Sequence, residues 1–336
     1  MIENFSFAFH AVMPLVLMIA LGYLLRAKNF LPRAFFTGGN KLMFKVLLPC
    51  SLFCNIYSIE SLSHVCWDII IFAYIGTLVI FFLGYFSTKF CVRDKLSRGS
   101  ALQCTFRSNI ALIGLPLAIS LGGAKAAAVM SLVTGFSVPL FNVLAVISLT
   151  TGETQAGKWH LKTTILGIAK NPLIIGSMLG ILALCIRALI PAGTDGIPVF
   201  SLSADLPSLY TTLQKLGSLA SPLSMVVLGA LLDFSKISGK IKYILFGCVW
   251  RLILAPVLGI SASMLLSHLG VITCGSAEYA SLLPFFGSPV AASSAVMAAE
   301  MGADGELARQ YVVWTSVGLI LTLPLWIMIM RSFGLL

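Results

Sequence analysis

Phe106-Arg107-Ser108-Asn109-Ile110-Ala111-Leu112-Ile113-Gly114-Leu115-Pro116 lies in the middle of an apolar stretch, yet it carries an arginine, an asparagine and a Gly-Leu-Pro step. Pro116 has no backbone N–H and disfavours helix at Leu115, while Gly114 loosens the chain just before it. The spacing predicts a helix that breaks at Gly114–Pro116 and restarts with Pro116 in its first turn. A second apolar stretch carries a matching interruption, Gly287-Ser288-Pro289-Val290-Ala291-Ala292-Ser293-Ser294.

The rest of the chain explains why two interrupted helices matter. It is 58% hydrophobic and 10% charged, with a mean hydropathy of +0.99; soluble domains carry roughly 25% charged residues. Apolar runs fall at roughly 6–26, 39–58, 68–90, 99–121, 125–149, 164–190, 211–233, 241–268, 277–300 and 306–332. A bilayer crossing takes about 20 apolar residues, and a helix alone satisfies its own backbone there. The reading is an all-α polytopic membrane protein of about ten transmembrane helices, with helices 4 and 9 broken.

Lysine and arginine set the orientation. With the N-terminus outside, fifteen basic residues fall at the cytoplasmic ends and connections, among them Arg26, Arg33, Lys89, Arg98, Lys158, Lys240 and Arg309. Four fall on the other side: Lys125, Arg187, Lys215 and Arg331. Both termini are therefore expected on the extracellular or periplasmic side of an inner (plasma) membrane. The net charge of +10 is then topology, and a nucleic-acid partner is not expected. The eight cysteines form no zinc-spaced set and are expected to be buried free thiols. No cleavable signal peptide is expected at the N-terminus.

The chain also repeats. Met13-Pro14-Leu15 to Leu21-Gly22 is echoed by Asn171-Pro172-Leu173 to Leu179-Gly180, and Asn40-Lys41-Leu42 before Pro49 by Gln214-Lys215-Leu216 before Pro222. Helices 4 and 9 end in Gly122-Gly123-Ala124 and Met301-Gly302-Ala303. Five helices per half invert the second copy, the plan of secondary transporters. Residues 1–150 and 151–336 are the expected halves, joined near the Pro/Ser/Gly-rich loop at 191–210.

Broken helices at matching places in two halves point to a transport site, because half-helix N-termini offer free amides and positive dipole ends to an anion. All twelve acids fall in loops or near span ends, whereas cation and proton antiporters use carboxylates at mid-membrane. Three cations, Lys45, Arg107 and Arg251, lie within spans. Lys45 and Arg107 are expected to snorkel to the cytoplasmic face, and Arg251 either packs structurally or reaches the substrate. Enzyme motifs are missing: no GxSxG, HExxH or Walker loop, and no cofactor or metal ligand set.

The pattern Asn40-Lys41-Leu42…Leu48-Pro49, Ser108-Asn109-Ile110…Gly114-Leu115-Pro116 and Pro289-Val290-Ala291-Ala292-Ser293…Ala299-Glu300-Met301-Gly302 resembles the auxin efflux carrier family, whose bacterial members are commonly called malate permeases. The resemblance covers essentially the whole chain. It implies a scaffold of helices 1, 2, 6 and 7 that pairs in a homodimer, and a moving transport domain of helices 3–5 and 8–10. It implies an elevator-type carrier of a small organic anion, a mono- or dicarboxylate such as malate. The implied site is Ser108, Asn109, Gly114, Leu115 and Pro116 in the first crossing helix and Ser288, Pro289, Ser293 and Ser294 in the second; Arg251, from its own depth in the eighth run rather than from the resemblance, is the candidate counter-charge. Plant members have a proline where Ser294 falls and a long loop where residues 151–163 are short, which points away from auxin. A cation- or proton-coupled transporter of related fold and a non-transporting metabolite sensor remain the alternatives.

Overall fold

Helix, interrupted at 107–109 and 288–292, covers the ten apolar runs where the computed structural model describes the chain, at residues 2–58, 66–150, 172–190, 201–232 and 240–336. The first run is α1 (Ile2–Ala27). The second is α2 (Arg33–Leu42), a π-turn at Met43–Leu47 and α3 (Leu48–Tyr57). Next come α4 (Trp67–Cys91), α5 (Lys95–Phe106), and a π-turn at Ile110–Gly114 leading into α6 (Leu115–Thr150). Gly123, at φ 62° and ψ −148°, folds α6 into two arms; a side chain would strain that conformation. After α7 (Pro172–Leu189) and one turn at Leu202–Asp205 come α8 (Pro207–Leu231) and α9 (Ile241–Val249). A π-turn at Trp250–Leu254 leads into α10 (Ala255–His268), followed by α11 (Ser276–Gly287), α12 (Ser293–Glu300) and α13 (Gly305–Ser332). The chain is an all-α polytopic membrane protein. Residues 164–171 of the sixth run, and the expected join as far as residue 200, lie outside the described residues.

Pro116 does not break its helix. A helical proline clashes with the carbonyl four residues back and offers it no N–H. The chain absorbs this with a π-turn one residue upstream of the Leu-Pro step. The same solution appears before Pro49 and Pro256. The carbonyl each proline cannot serve is Leu112 O for Pro116 and Leu252 O for Pro256. The first accepts from Ser224 Oγ at 3.0 Å and the second from Trp326 Nε1 at 3.0 Å.

The break lies earlier, at Arg107–Asn109, and its partner spans the residues between α11 and α12. These two unwound stretches pair antiparallel at Ser108 and Val290. Asn109 N donates to Pro289 O at 2.8 Å, and Ala291 N to Arg107 O at 3.0 Å. Local sequence predicted the wrong position because the break is held by pairing with a segment far along the chain.

Glycine sets the closest helix contacts. A Cβ at Gly22 of α1 would run into the Val226 carbonyl of α8, and one at Gly229 into the Ile19 carbonyl. On α7, a Cβ at Gly180 would lie 3.2 Å from Phe53 Cα of α3. Such backbone approach is how membrane helices gain packing without a hydrophobic drive. Arginine closes both pairs: Arg26 donates to Ala230 O and Leu232 O at the end of α8 (3.0 and 2.6 Å), and Arg187 to Tyr57 O at the end of α3 (2.9 Å). A large core cluster joins the two sets of helices, while Leu17, Leu21, Phe82, Phe86, Leu182 and Leu321 face outward, as a lipid-facing surface does.

Candidate functional site

Four helix ends meet at the bridge. The C-termini of α5 and α11 stop beside it, and the π-turn leading into α6 and helix α12 start from it. Neither start is capped by a side chain, so the first-turn amides there keep their donor character. Asn109, which begins the first, is 4% exposed, and its Nδ2 has no hydrogen-bond partner among the described residues. Ser288 Oγ and Ser294 Oγ are likewise buried without partners there.

A cavity of about 540 Å³ opens on this face of the bridge. Its polar lining is Asn40, Arg107, Ser108, Asn109, Asn142, Ser293 and Arg309; the remainder is apolar, with Phe44, Phe141, Leu228 and Val313 among the walls. Arg107 does not snorkel. It is 4% exposed, and its guanidinium donates to Asn142 Oδ1 at 3.0 Å and to Met297 Sδ at 2.8 Å. Both acceptors are neutral. Because α5 ends at Phe106, Arg107 belongs to the unwound stretch and turns inward rather than following the helix face toward water. Arg309 pairs with Glu306 at 3.2 Å.

A second cavity of about 570 Å³ lies further along the half-helix that starts at Ile110, lined by Ser51, Asn55, Ser58, Leu115, Pro116 and Gln214 among others. Among the described residues, no charged side chain lines it, and no aspartate or glutamate lines either cavity.

The expected site residues therefore separate. Ser108, Asn109 and Ser293 line the first cavity, and Leu115 and Pro116 line the second. Gly114, Ser288, Pro289, Ser294 and Arg251 line neither. Arg251 sits behind the bridge, 1% exposed, bonded to Thr105 O, Ser108 Oγ and Phe286 O. Sequence reasoning sent Arg107 to the cytoplasmic face and missed Asn142. Asn142 carried a readable signal, being an amide inside an otherwise apolar span. The cysteines are free, but only Cys54 and Cys104 are fully buried, and Cys91 is exposed.

A family described as "Membrane transport protein" matches the chain over residues 7–158 and 156–327. No curated protein matches it.

Proposed function

The chain belongs to the membrane transport protein family, and from that premise we propose that it is a secondary carrier of a small organic anion. The observation that carries this reading is Arg107: a buried cation facing a cavity with only neutral partners among the described residues. Holding a charge at membrane depth costs about 2.5–3.5 kcal/mol even on the lenient insertion scale, and an anionic ligand would offset it. A carboxylate beside Arg107 would also meet the unpartnered Asn109 Nδ2 and the amide end of a half-helix.

The walls narrow the substrate within mono- and dicarboxylates. Arg107 is the one cation lining the cavity without a carboxylate partner among the described residues, since Arg309 is held by Glu306. A dicarboxylate such as malate would have to displace Glu306 to pair twice. A monocarboxylate with an apolar body needs only Arg107 and the apolar walls, so it is the better fit. A cation or proton exchanger would use a carboxylate at the crossing, and none lines either cavity among the described residues.

Movement follows an elevator scheme. Helices α1–α3, α7 and α8 form the scaffold, which pairs in a homodimer, and α4–α6 with α9–α13 carry the crossing past it. The two cavities, at successive positions along the half-helix that starts at Ile110, are then the two access routes. Two related halves of inverted orientation account for the matching clamps, Arg26 on α8 and Arg187 on α3. The basic end of the bundle faces the cytoplasm, and both termini lie on the other side of the plasma membrane.

Uptake of radiolabelled benzoate and malate into proteoliposomes tests the reading. Benzoate uptake that falls at least about tenfold in Arg107→Gln and partly survives in Arg107→Lys is expected. Cation movement without carboxylate uptake would overturn it. Carboxylate binding without uptake would favour a sensor.

A further inference from the structure

Arg251 is the second buried cation of the crossing, and it lines neither cavity. It projects from the π-turn Trp250–Leu254 that precedes Pro256. Its Nη1 donates to Thr105 O at 3.3 Å, and its Nη2 to Ser108 Oγ at 3.3 Å and to Phe286 O. Thr105 and Phe286 each stand one residue before the end of their half-helix, α5 and α11. The last carbonyls of a helix have no partner in their own ladder, and each end carries about half a negative charge. Two such ends meet one guanidinium, so the sum is close to neutral without any carboxylate. Ser108 Oγ, which accepts from Arg251, lies 3.4 Å from Ser288 O and links the same group to the second unwound stretch. The planar fork of a guanidinium holds its three acceptors on two chain segments from one fixed geometry, which a compact, rotating ammonium does not reproduce.

We propose that Arg251 is a positioning residue. It ties the carbonyl ends of both half-helices together behind the bridge and cancels their negative field. The opposite, N–H-bearing ends are left, with Arg107, as the net potential in the cavity. The second statement rests on the anion reading above; the tie between the half-helices stands without it.

Hydrogen–deuterium exchange of the purified full-length chain tests the tie. In Arg251→Gln, exchange at the Asn109 and Ala291 amides, which close the bridge, accelerates by about tenfold or more, while α7 keeps its rate. Arg251→Lys restores the charge with fewer bonds and recovers most of the protection. Unchanged exchange at the bridge, or equal acceleration throughout the chain, overturns the proposal. If Arg251→Gln does not fold, Arg251→Lys carries the measurement alone: a rise of about threefold confined to the bridge supports the tie, and no local rise overturns it. Benzoate uptake tests the field. Arg251→Gln raises KM about tenfold with the maximal rate within about twofold, whereas an unchanged KM overturns this part. If the unsubstituted carrier moves no benzoate, the anion reading has failed, and the exchange result still decides the tie.

Discussion

Asn109 combines three features in one residue: its amide N closes the bridge, its carbonyl accepts from Ile113 and Gly114, and its side-chain Nδ2 has no partner among the described residues. Only the last depends on side-chain chemistry. Asn109→Ala should therefore assemble normally and weaken carboxylate uptake, by about three- to tenfold for one lost hydrogen bond. Asn109→Asp should be worse, because a carboxylate there would pair with Arg107 in place of the substrate. Uptake kinetics at matched membrane abundance check both, and undiminished uptake in either variant would count against the site. Asn109 was legible in the sequence because a lone amide stood next to a helix interruption. Arg107 was misread because proximity to a span end suggested snorkelling. What turns it inward is the end of α5 at Phe106, fixed by a partner strand that no local pattern contains.

Among the helices, the prolines and the charged caps make separate claims. Pro116 frees Leu112 O, and Ser224 Oγ reaches it from α8, so the two positions should be coupled. Ser224→Ala alone leaves a buried carbonyl unpaired and should cost about 1–3 kcal/mol. In a Pro116→Ala background the helix can serve that carbonyl itself, and Ser224→Ala should cost less; a double-mutant cycle on thermal unfolding measures the difference. The second claim concerns one end of the bundle. Lys240 Nζ bonds Asp94 at 2.9 Å and Asp304 at 2.8 Å, with Ser97 Oγ between the carboxylates at 2.6 and 2.7 Å. The Ser97 hydroxyl and then Lys240 hold the Asp94 carboxyl below its usual 3.8. At Asp304 partial burial pushes upward, but Lys240, the Leu307 amide and Ser97 outweigh it. Lys240 is lowered by burial and raised further by its two acids, to above 10.5. The acids' contribution is present above pH 3.8 and lost as pH falls through their depressed values. The lysine's is present below 10.5 and lost as pH rises through its raised value. Lys240→Met should shrink the acid limb, because the lysine's share of the depression is lost while the Ser97 and backbone hydrogen bonds remain. Unfolding temperature against pH reads this, and an unchanged profile would show the cluster to be inert. The positions of the helices were legible from hydropathy alone. The π-turns were not, because sequence tells where proline disrupts a ladder but not which neighbour rescues the freed carbonyl.

For the molecule as a whole, packing and sidedness give the remaining tests. Gly22→Ala or Gly229→Ala should drive α1 and α8 apart, since the added carbon meets backbone rather than a yielding side chain. A loss of about 1–3 kcal/mol or more would register as a lower unfolding temperature. Cys91, exposed at the end of α4, is expected on the cytoplasmic side. In a variant keeping only that cysteine, a membrane-impermeant maleimide should label inside-out vesicles and spare intact cells. The opposite pattern would invert the topology. Fold class and charge asymmetry were readable because both are sums over many residues, whereas the site depends on one pairing between distant segments. That pairing has a consequence for biogenesis. Ser108 and Ser288, on its two sides, are 180 residues apart in the chain. At a synthesis rate of about 5–20 residues per second, roughly 10–40 s separate their emergence from the ribosome. Through that interval Arg107 is already made, but the strand that fixes it is not. The nascent first half is then an intermediate whose Arg107–Asn109 stretch lacks its backbone partners, and the step that closes the bridge is also the step that makes the chain safe to release into the bilayer.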